Sequence, residues 1–135
     1  MADDVALLSA LRLGIRPDDA YEIISNQRRR LLIRELAAVD ETDHRGEIVL
    51  TISELADAIS AAEAGISPDE VTRDHRRNVY VSLLGTHAPL LEEHGVITFY
   101  PRPKKIQAEA DVEPLAQILE AIEAASQRGD DGHAL

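Results

Sequence analysis

Between Ser67 and Ala108 the chain changes from a helical to an extended hydrophobic period across one glycine. Ser67-Pro68-Asp69-Glu70 reads as a capping box with proline at the first helical position. Beyond it, Tyr80, Leu83, Leu84, His87, Leu90, Leu91 and His94 recur at intervals of three and four, the mark of one buried helical face. Gly95 supplies the stop. Val96-Ile97-Thr98-Phe99-Tyr100 is β-branched and aromatic, as a strand requires. Pro101-Arg102-Pro103-Lys104-Lys105 reads as a turn, and Ile106 to Ala108 can pair back as a second strand. The segment therefore predicts a long helix followed by a hairpin with a cationic tip.

That cationic tip belongs to a chain of net charge −11, in which 25 acids face 14 cations, so the local positive charge needs a reason. At 135 residues the chain is expected to be one domain with a single core. With one Phe, three Tyr and no Trp, that core must be aliphatic. The absence of cysteine excludes disulfides, thiolate metal sites and thiol catalysis. No apolar run approaches the ~18 residues of a membrane span, and the acidic start is unlike a signal sequence, so a cytoplasmic location is expected. An acidic surface keeps a small protein soluble. Acids spread along the chain, with only two lysines among the cations, also match adaptation to molar salt, the reading preferred here. At ~1 M ionic strength the Debye length is only ~3 Å, so repulsion from DNA and attraction to its phosphates are both muted.

Asp3 to Leu13 is expected to form a short extension helix ended by Gly14. Arg16-Pro17-Asp18-Asp19 starts the next helix, which runs to Ile24; Ser25-Asn26 recaps a second from Gln27 to about Val39, with Leu31, Leu32, Glu35 and Leu36 inward. Asp40 to Gly46 reads as a loop and Glu47 to Thr51 as a strand. Thr51-x-x-Glu54 is a capping box for the helix Ser53 to Ala64, with Leu55, Ile59 and Ala62 inside. Pro89 removes a backbone donor and should kink the long helix or restart it. Asp111 to Arg128 carries Val112, Leu115, Leu119, Ile122 and Ser126 at 3, 4, 3, 4, a narrow seam widened by Ile118 and Ala125, suited either to a partner helix or to its own domain. Gln127 to Leu135 is expected to fray. This order predicts a mainly helical α+β fold, a winged helix-turn-helix. Its expected parts are an extension helix at 1–16, a winged-helix domain at 17–110, a C-terminal helix at 111–128 and a flexible tail at 129–135.

Ser25-Asn26-Gln27-Arg28-Arg29-Arg30-Leu31-Leu32 resembles the first core helix of ArsR-like winged-helix regulators, and Leu91-Glu92-Glu93-His94-Gly95-Val96-Ile97 resembles the turn into their wing. The block from Tyr80 to Ile97, with Thr86-His87-x-Pro89-x-Leu91, is similar to a group of small winged-helix proteins common in salt-loving archaea. The resemblance spans about Asp18 to Ala108 and implies a dimeric transcriptional regulator. The cysteine metal-sensing sites of some ArsR-like proteins have no counterpart here.

In a winged helix the exposed side of the second helix enters the major groove, and the wing meets phosphate or the minor groove. The outward positions are expected at Asp74, His75, Asn78, Val81, Ser82, Gly85, Thr86 and Pro89. Asn78, Ser82 and Thr86 can hydrogen-bond to base edges. Arg73, Arg76 and Arg77 can reach phosphate or pair with neighbouring acids. Arg102, Lys104 and Lys105 form the wing cluster, which could instead simply block edge pairing. Arg28, Arg29, Arg30 and Arg34 fan around one helix, with Arg30 and Arg34 outward and Arg29 inward. The three clusters hold ten of the fourteen cations.

His87 and His94 lie two turns apart, about 10 Å of rise, too far to chelate one ion, and read as core histidines. No phosphate loop, nucleophile elbow or His-Glu metal motif is present, so neither enzyme activity nor a metal or other cofactor is expected. The expected function is a homodimeric DNA-binding regulator adapted to high salt. Double-stranded DNA would be met by Arg73, Arg76, Arg77, Asn78, Ser82, Thr86, Arg102, Lys104, Lys105 and Arg30, and the dimer formed by Val112, Leu115, Ile118, Leu119 and Ile122. The alternative is a winged-helix protein-interaction module, suggested by the small apolar Val81-x-x-x-Gly85 patch.

Overall fold

A computed structural model describes residues 14–39, 42 and 45–133, with side-chain surroundings as far as residue 127. The helix expected at Asp3 to Leu13 lies outside the described residues, as does part of the loop from Asp40 to Gly46.

Helix α1 (Pro17–Ile24) opens with proline in its first turn beside Asp18 and Asp19, where the macrodipole favours acids. The Asn26 side chain accepts the Arg29 backbone N–H and starts α2 (Gln27–Ala37). Its buried face is Arg29, Leu32, Ile33 and Leu36, rotated from the expected one. Leu31 and Glu35 are only half-buried because Arg29 and Ile33 take the inward positions. Strand β1 (Val49–Thr51) is shorter than expected and leads directly into α3 (Ile52–Ala64). Both halves of the Thr51–Glu54 capping box form. The α3 core face is Ile52, Leu55, Ala56 and Ile59, while Ala62 is exposed.

The long helix does not begin at Ser67. Pro68–Glu70 is a single 3₁₀ turn and Ser67 makes no side-chain cap. Val71 is then extended and buried, and Thr72 caps α4 (Arg73–Ser82) by accepting the His75 backbone N–H. A π turn at Leu83–His87 follows, and α5 (Ala88–Glu93) continues the same helical path. The Ala88 N–H reaches back to the Leu83 carbonyl. This wider turn is how the helix passes Pro89 without a break, since proline lacks an N–H and its ring crowds the preceding turn.

Gly95, at φ +74°, turns the chain into β2 (Ile97–Tyr100). β3 (Lys105–Ala108) returns after a turn containing a cis Arg102–Pro103 peptide and Lys104 at φ +64°. The sheet order is β1-β3-β2, all antiparallel, with Leu50 opposite Ile106 and Phe99 opposite Ile106 on its other side. Five helices, the last two joined through the π turn, lead to a strand-paired hairpin in the expected α+β, winged-helix-like architecture.

Helix α6 (Val112–His133) passes through Gly129 and Gly132, where a tail was expected. Glycine weakens a helix by about 1 kcal/mol but does not end it without a left-handed turn. Val112, Leu115 and Leu119 pack into the same aliphatic core as Ile23, Leu32, Ile33, Leu36, Ile59, Leu83 and Leu91. Among the described residues no helix is long and apolar enough to cross a membrane.

Candidate nucleic-acid interface

The arginines of α2 look alike in sequence but meet different surroundings. Arg29 is buried, donating from Nε to the Ile23 carbonyl at 3.0 Å and from Nη2 to the Glu22 carbonyl at 2.9 Å. It thereby satisfies the open carbonyls at the end of α1. Its Nη1 lies 3.4 Å from His87 Nδ1. Burial lowers the Arg29 pKa, against the attraction of Glu22. Burial also lowers that of His87, reinforced by repulsion from Arg29 and Arg28. His87 is thus a core histidine held neutral beside a guanidinium, matching its expected place in the core. Arg30, expected to face solvent, donates to the Ile24 carbonyl at 2.8 Å, and Arg34 pairs with Glu123 of α6 at 2.7 Å.

Arg28 crosses from α2 to the face of α4. Its Nε and Nη2 grip Glu63 at 2.6 and 3.1 Å, a two-armed contact that adds geometric constraint to charge. Its Nη1 donates to Asn78 Oδ1 at 2.9 Å and Ser82 Oγ at 3.1 Å. His75 Nε2 lies 2.8 Å from Glu63 Oε1, the oxygen that Arg28 Nη2 also holds. Burial opposes the charge on Glu63, but hydrogen bonds and attraction from Arg28 and His75 outweigh it and hold the carboxyl below its usual range. Sequence reasoning missed Glu63 as the centre of this network, because its partners lie 35 and 12 residues away and no local spacing announces them.

The outward face of α4 and the π turn forms a shallow hollow lined by Asp74, Arg77, Asn78, Val81, Ser82, Gly85 and Thr86. Nearly all the positions expected to face outward are there, except His75, drawn toward Glu63, and Pro89. Two of the three expected base readers are already engaged. Asn78 uses its carbonyl oxygen on Arg28, and Ser82 also donates to the Val79 carbonyl at 3.0 Å. Thr86 is exposed.

Arg73 and Arg77 are exposed, whereas Arg76 points away and lies 2.7 Å from Asp57 Oδ1 through Nε. That contact is an ion pair too bent for an Nε hydrogen bond; Nη2 donates instead to the Pro68 carbonyl at 3.3 Å. Arg76 and Arg30 are therefore spent within the fold rather than presented with Arg73 and Arg77. Asp74 lines the hollow beside Arg77, whereas Glu92 is turned to the sheet, where it accepts the Phe99 backbone N–H at 2.8 Å.

At the wing, Arg102 and Lys104 are exposed and Lys105 is half-buried. Lys104 Nζ sits 6.0 Å from the centre of the Tyr80 ring, and Lys105 Nζ 5.4 Å from that of Tyr100, both cation–π contacts. Tyr80 follows Arg73 and Arg77 at intervals of seven and three, hence on the same flank of α4. Lys104 thus brings the wing to the flank of α4 that bears Arg73 and Arg77. Among the described residues none of Arg73, Arg77, Arg102, Lys104 and Lys105 forms an ion pair.

The expected dimer seam is largely consumed within the chain. Val112, Leu115 and Leu119 are buried in the core because α6 packs on α2, while Ile118 is half-buried and Ile122 is 50% exposed. His94 reaches Asp19 at 3.9 Å and Glu22 at 3.6 Å, a solvent-open cluster joining α1 to the end of α5 that sequence spacing did not anticipate.

No curated protein and no solved structure shows significant similarity to the chain. Residues 21–107 match the family described as a domain of unknown function, DUF7344, and the chain belongs to that family.

Proposed function

We propose that this protein is a winged-helix DNA-binding regulator whose phosphate contacts come from the edge between α4 and the wing. One observation carries the reading: the Lys104 ammonium rests against Tyr80, on the flank that bears Arg73 and Arg77. Five cations on α4 and the wing that form no ion pair among the described residues, in a chain of net charge −11, suit a polyanion. The contact set is narrower than the sequence suggests, because Arg30 and Arg76 have partners of their own. Work in molar salt belongs to the same reading, since the acids are spread along the chain and short-range contacts survive screening there.

The test is anisotropy with genomic duplex fragments in about molar KCl. Changing Arg102, Lys104 and Lys105 together to Glu is expected to abolish binding while thermal melting stays the same. Unchanged affinity removes the wing from the reading. Pairing of two copies through Ile118 and Ile122 completes it. Ile122→Asp is expected to convert a dimer to a monomer in sedimentation, and an unaltered dimer excludes that face.

A second reading, a protein-interaction module, draws on Val81, which is 58% exposed in the middle of the hollow beside Gly85. It predicts no sequence enrichment from genomic DNA and a partner that Val81→Asp releases.

A further inference from the structure

We infer that Arg28 decides which base edge Asn78 can read, favouring guanine or thymine over adenine at the position Asn78 meets. The inference rests on the DNA-binding reading above and adds a specificity to it.

A guanidinium has only N–H donors and no acceptor. The carboxamide atom of Asn78 that lies 2.9 Å from Arg28 Nη1 must therefore be its oxygen, whichever way the amide is first drawn. Arg28 is not free to swing away, because its other two nitrogens hold both oxygens of Glu63. Glu63 in turn is braced by His75. The Asn78 oxygen is thus turned toward the protein, and the exposed amide nitrogen is left to face the hollow. Ser82 cannot supply the missing acceptor-and-donor pair, since its oxygen takes a bond from Arg28 and its proton goes to the Val79 carbonyl.

Reading adenine with two hydrogen bonds requires the oxygen and nitrogen of an asparagine side by side, one for N6–H and one for N7. With one lone pair of its oxygen held by Arg28, Asn78 turns its N–H donors toward the hollow and its acceptor toward the protein. Guanine presents acceptors at both N7 and O6 and thymine one at O4, whereas adenine sets a donor beside its N7. Arg28 is accordingly a positioning residue: half-buried and held by Glu63, it acts through Asn78 and touches no base.

The experiment is selection from a randomised duplex library by the full chain in about molar KCl, followed by sequencing, with melting curves for every variant. The wild type is expected to enrich guanine or thymine at a position where Asn78→Ala alone relaxes the preference, by about fivefold, the low end for a single contact. Arg28→Lys keeps a cation against Glu63 but lacks the second arm for Asn78. It is expected to shift that same position toward adenine, a change that a purely structural role would not produce. Arg28→Met should shift it the same way, and the exposed Asn78→Ala remains decisive if Arg28→Met melts early. Adenine at the Asn78-dependent position of the wild type overturns the inference, as does a preference unmoved by Asn78→Ala. If the wild type enriches no sequence and binds no duplex, the DNA reading falls and takes this inference with it. That outcome differs from enriched sites in which only this position fails.

Discussion

The arginines of α2 and the cations of the wing are equally dense in sequence, yet one group is absorbed by the fold and the other is presented by it. Arg28, Arg29, Arg30 and Arg34 each find an acid or a backbone carbonyl within 3.1 Å. Lys104 and Lys105 rest against aromatic faces, and Arg102 is exposed. The difference lies in the neighbours. α2 runs between the end of α1, whose carbonyls lack donors, and the acids of α3 and α6, whereas the wing turn projects from a three-stranded sheet. A run of positive charge is therefore informative about ligands only after the acceptors within its reach have been counted.

The strongest way to break this contrast is Arg29→Ala. It leaves the Ile23 carbonyl without its donor beside the core, while Ser25 still serves that of Glu22, and should lower stability by about 2 kcal/mol in denaturant unfolding. Replacing Arg102, Lys104 and Lys105 by Ala should alter stability by no more than about 0.5 kcal/mol. Equal effects at the two sites would erase the distinction.

Acid sharpens it next. His87 titrates below the ordinary histidine value of 6.5, so just under that pH the unfolded chain binds more protons than the folded one. Its contribution is present above 6.5 and is lost as the pH falls from there toward the folded-state value. Glu63, held below 4.5, contributes above that value and loses its share as the pH drops through it. Unfolding free energy should therefore start to decline near pH 6.5, and His87→Gln should flatten the first part of the decline. An identical pH profile in the variant would show that His87 is not the group responsible.

The smallest effect is expected at Arg34→Ala. Its partner Glu123 is 57% exposed, so the pair is worth under about 1 kcal/mol, and duplex affinity should not change. A clear loss of binding there would return the α2 arginines to the interface.

The sequence conveys elements better than faces. The Thr51–Glu54 box, the Asn26 cap and the stop at Gly95 are local devices and form as expected. Ser67-Pro68-Asp69-Glu70 has the composition of a cap but closes only a 3₁₀ turn, and the helix is capped by Thr72, whose own side chain accepts the His75 N–H. The periodicity of α6 was equally visible, but a repeating stripe does not say against what it packs. The partner of Val112, Leu115 and Leu119 is the chain's own core.

Alone, the amino-acid order determined the helices, the hairpin and their order, because capping, proline and glycine geometry and hydrophobic period act within a few residues. Only the tertiary structure decided which cations remain free and which way Asn78 faces. Charge pairing depends on distance in space, and the acids that neutralise Arg28 and Arg34 lie on helices that fold back from far along the chain.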